Sequence, residues 1–228
     1  MSAVGNVVGL WRYPVKSMAG QALPSVDVSW HGLAGDRRWA FVRSGVERSG
    51  FPWLTIRERS DMWSYVPSFE DPSRPDDSRT VVRTPAGKVL DVTDSALAAE
   101  LGHGARVIKQ SRGVFDTMPL SLLSVQSVEG LRAGVDPRRF RPNILIETAL
   151  SEDGWVGSVV RIGGMRMRVD QHDERCVVVN VDPDTAERDP AILRAIAQTR
   201  ASRFGVYGSV VEPGRVSVGD AVLLDDAR

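Results

Sequence analysis

The chain holds a single cysteine, Cys176, in the run Asp173-Glu174-Arg175-Cys176-Val177-Val178-Val179-Asn180-Val181-Asp182-Pro183. A thiol at the mouth of a valine-rich strand can ligate a metal or act as a nucleophile, whereas a mid-strand cysteine mostly packs as a small hydrophobe. Arg175 beside it is expected to lower the thiol's pKa and favour the thiolate. Three further clusters could carry chemistry. Tyr13-Pro14-Val15-Lys16-Ser17 follows an apolar strand, so a lysine, a hydroxyl and free backbone amides emerge together at a bend. That is the donor set of a phosphate cradle; with no ligand it is a solvated strand end. Gly32-Leu33-Ala34-Gly35-Asp36-Arg37-Arg38-Trp39 delivers an Asp-Arg pair at the start of an aromatic strand, where the guanidinium fork suits phosphate and the aspartate can hold the fork or the neighbouring backbone. Arg141-Pro142-Asn143 follows Arg138, Arg139 and Phe140 and adds an amide able to read the edge of a heterocycle. The carboxylates of Glu152 and Asp153 could brace those arginines.

Several chemistries are excluded. One cysteine cannot form an internal disulfide, no G-x-G-x-x-G opens a helix, and His31, His103 and His172 show no zinc-ligand spacing. Only His172 lies near Cys176, with no third group at a spacing that would orient a catalytic pair. The 29 basic and 29 acidic residues cancel, so no polyanion-binding surface for nucleic acid or anionic lipid is expected and any anion site must be local. No apolar run approaches the roughly twenty residues of a membrane-spanning helix, and the amino-terminal stretch has no basic leader. The chain reads as soluble and cytoplasmic.

The elements that must position these clusters are mainly strands. Val4–Leu10, Ser25–Trp30, Arg38–Arg43, Thr80–Arg83 and Lys88–Val92 are short and β-branched or aromatic, with Thr84-Pro85-Ala86-Gly87 as a hairpin turn. Val159–Ile162 and Met165–Val169 flank Gly163-Gly164, a loop suited to a type I′ hairpin, and Met165, Met167 and Val169 share one face. Gly205–Val211, Arg215–Val218 and Ala221–Leu224 repeat the pattern around Glu212-Pro213-Gly214 and Gly219-Asp220. Helices are expected after Thr93 or Asp94, after Ser124 or Ser127 up to Leu131, and after the cap Asp189-Pro190. Phe69–Arg79 reads as a mobile surface loop, and a weak boundary falls at Arg112–Pro119.

Taken in order, Tyr13-Pro14-Val15-Lys16-Ser17, Gly35-Asp36-Arg37-Arg38-Trp39, Thr55-Ile56-Arg57, Arg139-Phe140-Arg141-Pro142-Asn143, Glu152-Asp153-Gly154-Trp155, Arg175-Cys176, Val181-Asp182-Pro183, Phe204-Gly205-Val206-Tyr207 and Val218-Gly219-Asp220 resemble the MOSC superfamily across nearly the whole chain. The resemblance implies a mainly β fold with a few helices: a MOSC N-terminal β-barrel-like domain at residues 1–112 and a MOSC-type β-barrel domain at 113–228. It also implies a molybdenum cofactor (molybdopterin) site between the halves. In the subgroup that looks most similar, the amidoxime-reducing components and their bacterial relatives, the counterpart of Cys176 gives a thiolate to molybdenum. A soft sulfur ligand suits that role. Lys16, Ser17 and Arg37 match positions for the cofactor's phosphate and pterin, Ser124, Ser127, Arg141 and Asn143 match pterin contacts, and Arg175 lies with Cys176 at the metal end. The implied reaction is reduction of a small N-hydroxylated or N-oxygenated substrate, with electrons from a separate redox protein. Substrate specificity is expected in loops such as Phe51–Met62 and Phe69–Arg79. Met18 stands where many relatives carry a second cysteine, which excludes a two-thiol mechanism. No ferredoxin module follows Asp220, and the chain has no room for a sulfurase's pyridoxal-phosphate domain. Two alternatives remain: a sulfur carrier with a persulfide on Cys176, and a cofactor-free binding protein on the same fold.

Overall fold

A computed structural model describes residues 2–46 and 48–225 of the 228. Among the described residues there are sixteen strands and three α-helices. The strands are β1 (Ser2–Arg12), β2 (Gln21–Ala22), β3 (Ser25–Ser29), β4 (Gly32–Leu33), β5 (Trp39–Val42), β6 (Val66–Phe69), β7 (Thr80–Arg83), β8 (Val89–Asp91), β9 (Arg106–Lys109), β10 (Leu120–Ser124), β11 (Ile144–Thr148), β12 (Val159–Ile162), β13 (Met165–Glu174), β14 (Arg203–Glu212), β15 (Gly214–Ser217) and β16 (Ala221–Leu224). Helices α1 (Ser95–Leu101), α2 (Val125–Leu131) and α3 (Pro190–Arg200) are capped by the side chains of Asp94, Ser124 and Asp189, each accepting from a backbone N–H of the first turn. A mainly β fold with few helices is therefore what forms.

Strands β11-β10-β14-β13-β12-β16-β1 pair in that order, and the pairing of β1 with β11 closes them into a seven-stranded barrel. Alternation is the cause. Met165, Met167 and Val169 on β13 are fully buried while Arg166, Arg168 and Asp170 face outward, so one face of each strand fills the interior. Val7, Leu10, Leu122, Ile144, Ile146 and Val206 complete that core. The pairing of β10 with β11 is parallel and needs a crossover, supplied by α2 and the 3₁₀ turn Pro137–Phe140. A second core, around Tyr13, Phe41, Leu54, Met62, Trp63 and Leu97, lies under the ribbon β5-β9 and the sheet β6-β7-β8.

Strand β1, from the amino terminus, is one of the barrel's staves. Several expectations need correcting. Strand β15 does not fold back on β14 but pairs with β3, a second tie between the two halves. At Gly163-Gly164 only Gly163 takes a positive φ (55°), so the hairpin lacks the two left-handed residues of a type I′ turn. The valine run after Cys176 is a 3₁₀ turn, Val177–Asn180, and Cys176 follows the end of β13 rather than opening a strand. The 69–79 segment is tied down: Asp76 Oδ1 accepts from buried Arg38 Nε at 2.6 Å and from Gly35 N at 3.2 Å. Strands β9 and β10 were not legible as strands.

Gly208, central in β14, has no room for a side chain. A Cβ there would lie 2.3 Å from the Arg168 carbonyl oxygen and 2.4 Å from Met167 Cε. Gly208→Ala is expected to lower the urea midpoint, costing about 1–3 kcal/mol as an overpacked site does. Gly154→Ala, with nothing within 4 Å of the new Cβ, should stay within about 0.5 kcal/mol of the parent.

Candidate functional site

A cavity of about 360 Å³ opens between the barrel and the smaller sheets, lined by Lys16, Ser17, Arg37, Arg141, Asn143, Arg175 and Cys176 among others. Strands β10, β13 and β14 supply Ser121, Asp173 and Tyr207 to its wall, and bends supply most of its cations. Ser17 (φ 69°), Arg37 (φ 49°) and Arg141 (φ 52°) all hold left-handed backbone, a conformation that costs a non-glycine residue of order 1 kcal/mol or more and concentrates at ligand sites.

The carboxylate of Asp36, wholly buried, holds these bends together. Its Oδ1 accepts from Tyr13 N at 2.6 Å, while Oδ2 accepts from Arg37 Nη1 and from Asn143 Nδ2, the latter at 3.1 Å. Asn143 Nδ2 also donates to the Trp11 carbonyl at 3.1 Å, and its Oδ1 accepts from Ser121 N at 3.2 Å and Arg37 Nη1 at 3.4 Å. The amide expected to read a ligand edge is thus occupied in joining the two halves. Above this layer Tyr13 is stacked between two cations, with Arg37 at 4.6 Å and Arg141 at 4.1 Å from its ring centre, and Arg141 also lies 4.6 Å from the Trp63 ring. Burial pushes the Tyr13 phenol up to about 12 and pulls the Arg141 guanidinium down to about 10.

At the other end, Arg57 Nη2 donates to Cys176 Sγ at 3.2 Å and to Asp116 Oδ2 at 3.4 Å. Asp116 also pairs with Lys16 Nζ, which donates as well to the Val114 carbonyl at 3.1 Å. Burial lowers the Lys16 ammonium against the pull of Asp116. Burial pushes the Asp116 carboxyl up, yet the charges of Lys16 and Arg57 outweigh it and hold the group below its ordinary value. Arg57, and not Arg175, is therefore the thiol's cationic partner. Arg175 turns inward, donating to the carbonyls of Phe204 and Phe140 at 2.7 Å each and lying 2.8 Å from Asp173.

Ser124 and Ser127 are not brought to the cavity. Their hydroxyls donate to Glu152 Oε2 at 2.6 and 2.9 Å, so this fully buried carboxylate braces α2 instead of the arginines. Asp153 pairs with Arg200, and the His172 ring contacts the Asp153 carbonyl at 3.2 Å. Arg57, Asp116, Asp173, Tyr207 and Phe51 also line the cavity and were not singled out as site residues. Asp116 lay hidden in a stretch that looked like a linker. Arg57 had a signal, the Thr-Ile-Arg triplet, but no role attached to it.

The residues present fit an anionic cofactor. The volume suits a small organic ligand, Lys16, Arg37, Arg57 and Arg141 supply positive charge, and Arg141 Nη2 is buried without a hydrogen-bond partner. Among the described residues no cluster of three His, Cys, Asp or Glu could cage a metal by itself. The protein would contribute a single soft ligand, Cys176.

Comparison with known proteins covers both halves of the chain. A family model described as the MOSC domain matches residues 110–223, and one described as the MOSC N-terminal beta barrel domain matches residues 4–95. Mitochondrial amidoxime reducing component 2 from Bos taurus is 24% identical, covering 97% of this chain and 84% of its own length. Molybdenum cofactor sulfurase from Drosophila grimshawi is 28% identical over 86% of this chain, but the match spans only 31% of that longer protein. The crystal structure of the YUAD protein from Bacillus subtilis superposes with a TM-score of 0.55 at 14% identity, covering 99% of this chain and 97% of that one, a likeness of fold.

Asp173 offers a pH test of the cavity wall. Burial pushes its carboxyl up to about 6, against the opposing pull of Arg175 and hydrogen bonds from Ser121 and Tyr207. A raised carboxyl binds its proton more tightly folded than unfolded. Its stabilising contribution is therefore complete below about pH 4 and lost as pH rises through 6. Asp173→Asn carries no such ionisation, so its unfolding free energy relative to the parent should rise by up to about 3 kcal/mol between pH 4 and 7. Parallel pH profiles would remove Asp173 as the titrating group.

Proposed function

Because the chain belongs to the MOSC family, we propose that its cavity binds a molybdenum cofactor and that the protein is an oxidoreductase reducing N-hydroxylated or N-oxygenated compounds. The observation that carries this reading is the lone thiol at one end of a local cationic cavity, with a guanidinium 3.2 Å from its sulfur. The printed names of the bovine relative and of amidoxime-reducing component 1 from Mus musculus, 26% identical over 98% of this chain, point to the same chemistry.

Roles follow from position. Lys16, Arg37, Arg57 and Arg141 would hold the phosphate and pterin by charge and by guanidinium forks, which match oxyanion geometry. Ser17, on its left-handed bend, presents a hydroxyl and a backbone amide to the same space. Cys176 would be the metal's protein ligand, and the molybdenum would supply two-electron chemistry at the substrate's N–O bond. Overall the N–OH group becomes N–H with release of water, consuming two electrons and two protons. Arg57 orients the sulfur, and Asp36 and Asn143 fix Arg37. Electrons would come from a separate redox protein, because the one thiol of the chain is already engaged as a ligand. The loop residues Phe51 and Thr55 also line the cavity and would meet the substrate.

The sulfurase likeness favours a second reading, a persulfide carrier on Cys176. The two readings separate on purified protein. Chain isolated from cofactor-producing cells is expected to hold close to one molybdenum and one pterin per chain and to reduce an amidoxime probe with an artificial electron donor. Well-folded protein without metal would overturn the first reading, and one sulfur atom added to Cys176 by a cysteine desulfurase would establish the second.

A further inference from the structure

Lys16 and Arg57 meet at one carboxylate, Asp116, and that carboxylate belongs to neither half's regular structure. It sits on the segment 110–119 between β9 and β10. Lys16, only 5% exposed, has Asp116 as its one carboxylate partner among the described residues, and its other acceptor, the Val114 carbonyl, lies on the same segment. Arg57 shares one nitrogen between Asp116 and Cys176. Phe51 lies beneath both cations, 5.6 Å from Lys16 Nζ and 4.8 Å from Arg57 Cζ. The Asp116 side chain is 41% exposed and that of Arg57 31%, against 7% for Lys16, so the carboxylate is the most open member of the cluster. Among the described residues, the last turn or loop backbone bond anchoring the segment before β10 runs from Val114 N to the Arg37 carbonyl at 2.8 Å, so the chain at 116 is held chiefly by charge.

We propose that Asp116 is an internal counter-anion occupying an oxyanion subsite built by Lys16 and Arg57, and that the phosphate or another anionic group of an incoming ligand displaces it and loosens the 110–119 segment around residue 116. The proposal rests on reading this cavity as an anion site, but not on molybdenum being present. The physical reason is pairing. A buried ammonium cannot be left without a counter-charge, so Asp116 and a ligand oxyanion exchange places. Each anion then weakens the other's binding by the same factor.

The test uses the full chain prepared without cofactor, inorganic phosphate as probe and calorimetry at fixed pH and ionic strength. Asp116→Asn keeps the side chain's shape and removes its charge. It is expected to bind phosphate at least about tenfold more tightly than the parent, with that gain abolished by adding Lys16→Met. Equal or weaker affinity in Asp116→Asn, or phosphate binding by neither form, would overturn the proposal. A second reading uses the parent alone: saturating phosphate should speed amide hydrogen exchange within 110–119, and slowed or unchanged exchange there would overturn it too. Neither readout involves the metal, so their failure is distinguishable from a failure of the molybdenum reading.

Discussion

One buried carboxylate sets the geometry on which the rest of the site depends. Asp36 lies between the amino-terminal bend, the glycine-flanked turn and the Arg141-Pro142-Asn143 corner, and it accepts directly from one group on each: Tyr13 N, Arg37 Nη1 and Asn143 Nδ2. A wholly buried carboxylate is stable only if its oxygens are filled. Filling them forces Tyr13 N, the Arg37 fork and the Asn143 amide to converge. Three left-handed residues at the cavity are tolerated because this network, together with Tyr13 packed between two guanidinium groups, over-determines their positions. The barrel contributes by holding β1 and β11 side by side, so that Tyr13 and Asn143, more than a hundred residues apart, emerge at the same end.

Charge is distributed to the same purpose. The whole chain carries a formal net charge of zero, yet the cavity gathers six cationic side chains within a small volume. Inward-facing acids divide the work. Asp173 neutralises Arg175, an arginine turned into the wall, whereas Asp36 and Asp116 neutralise Arg37, Lys16 and Arg57, cations that remain available to a ligand. Arg57 lies where those roles meet, touching both the exchangeable carboxylate and the sulfur of Cys176.

Much of this was legible in the sequence, because alternation, caps and turn residues act locally. Met165, Met167 and Val169 announced a buried strand face, and Asp189-Pro190 announced a helix start. Lys16, Ser17, Arg37, Arg141, Asn143, Arg175 and Cys176 do reach one cavity. What failed was whatever depends on contacts distant in sequence. Arg175 adjoins Cys176 in the chain but points into the wall, while Arg57, 119 residues away, reaches the sulfur. Ser124 and Ser127 looked like ligand contacts and instead satisfy Glu152. Strand β15 looked like half of a hairpin and instead crosses to β3. Asp116 could not be found at all, since its meaning lies entirely in the two cations that fold onto it.

The central claim is that the sulfur of Cys176 is a metal ligand inside a cationic cofactor cavity. X-ray absorption at the molybdenum edge, on protein from cofactor-producing cells, compares the metal's sulfur shell in the parent chain and in Cys176→Ser. The account predicts one fewer sulfur neighbour in the variant, with the pterin still bound by Lys16, Arg37, Arg57 and Arg141. An unchanged sulfur shell in a variant that retains its molybdenum would contradict it.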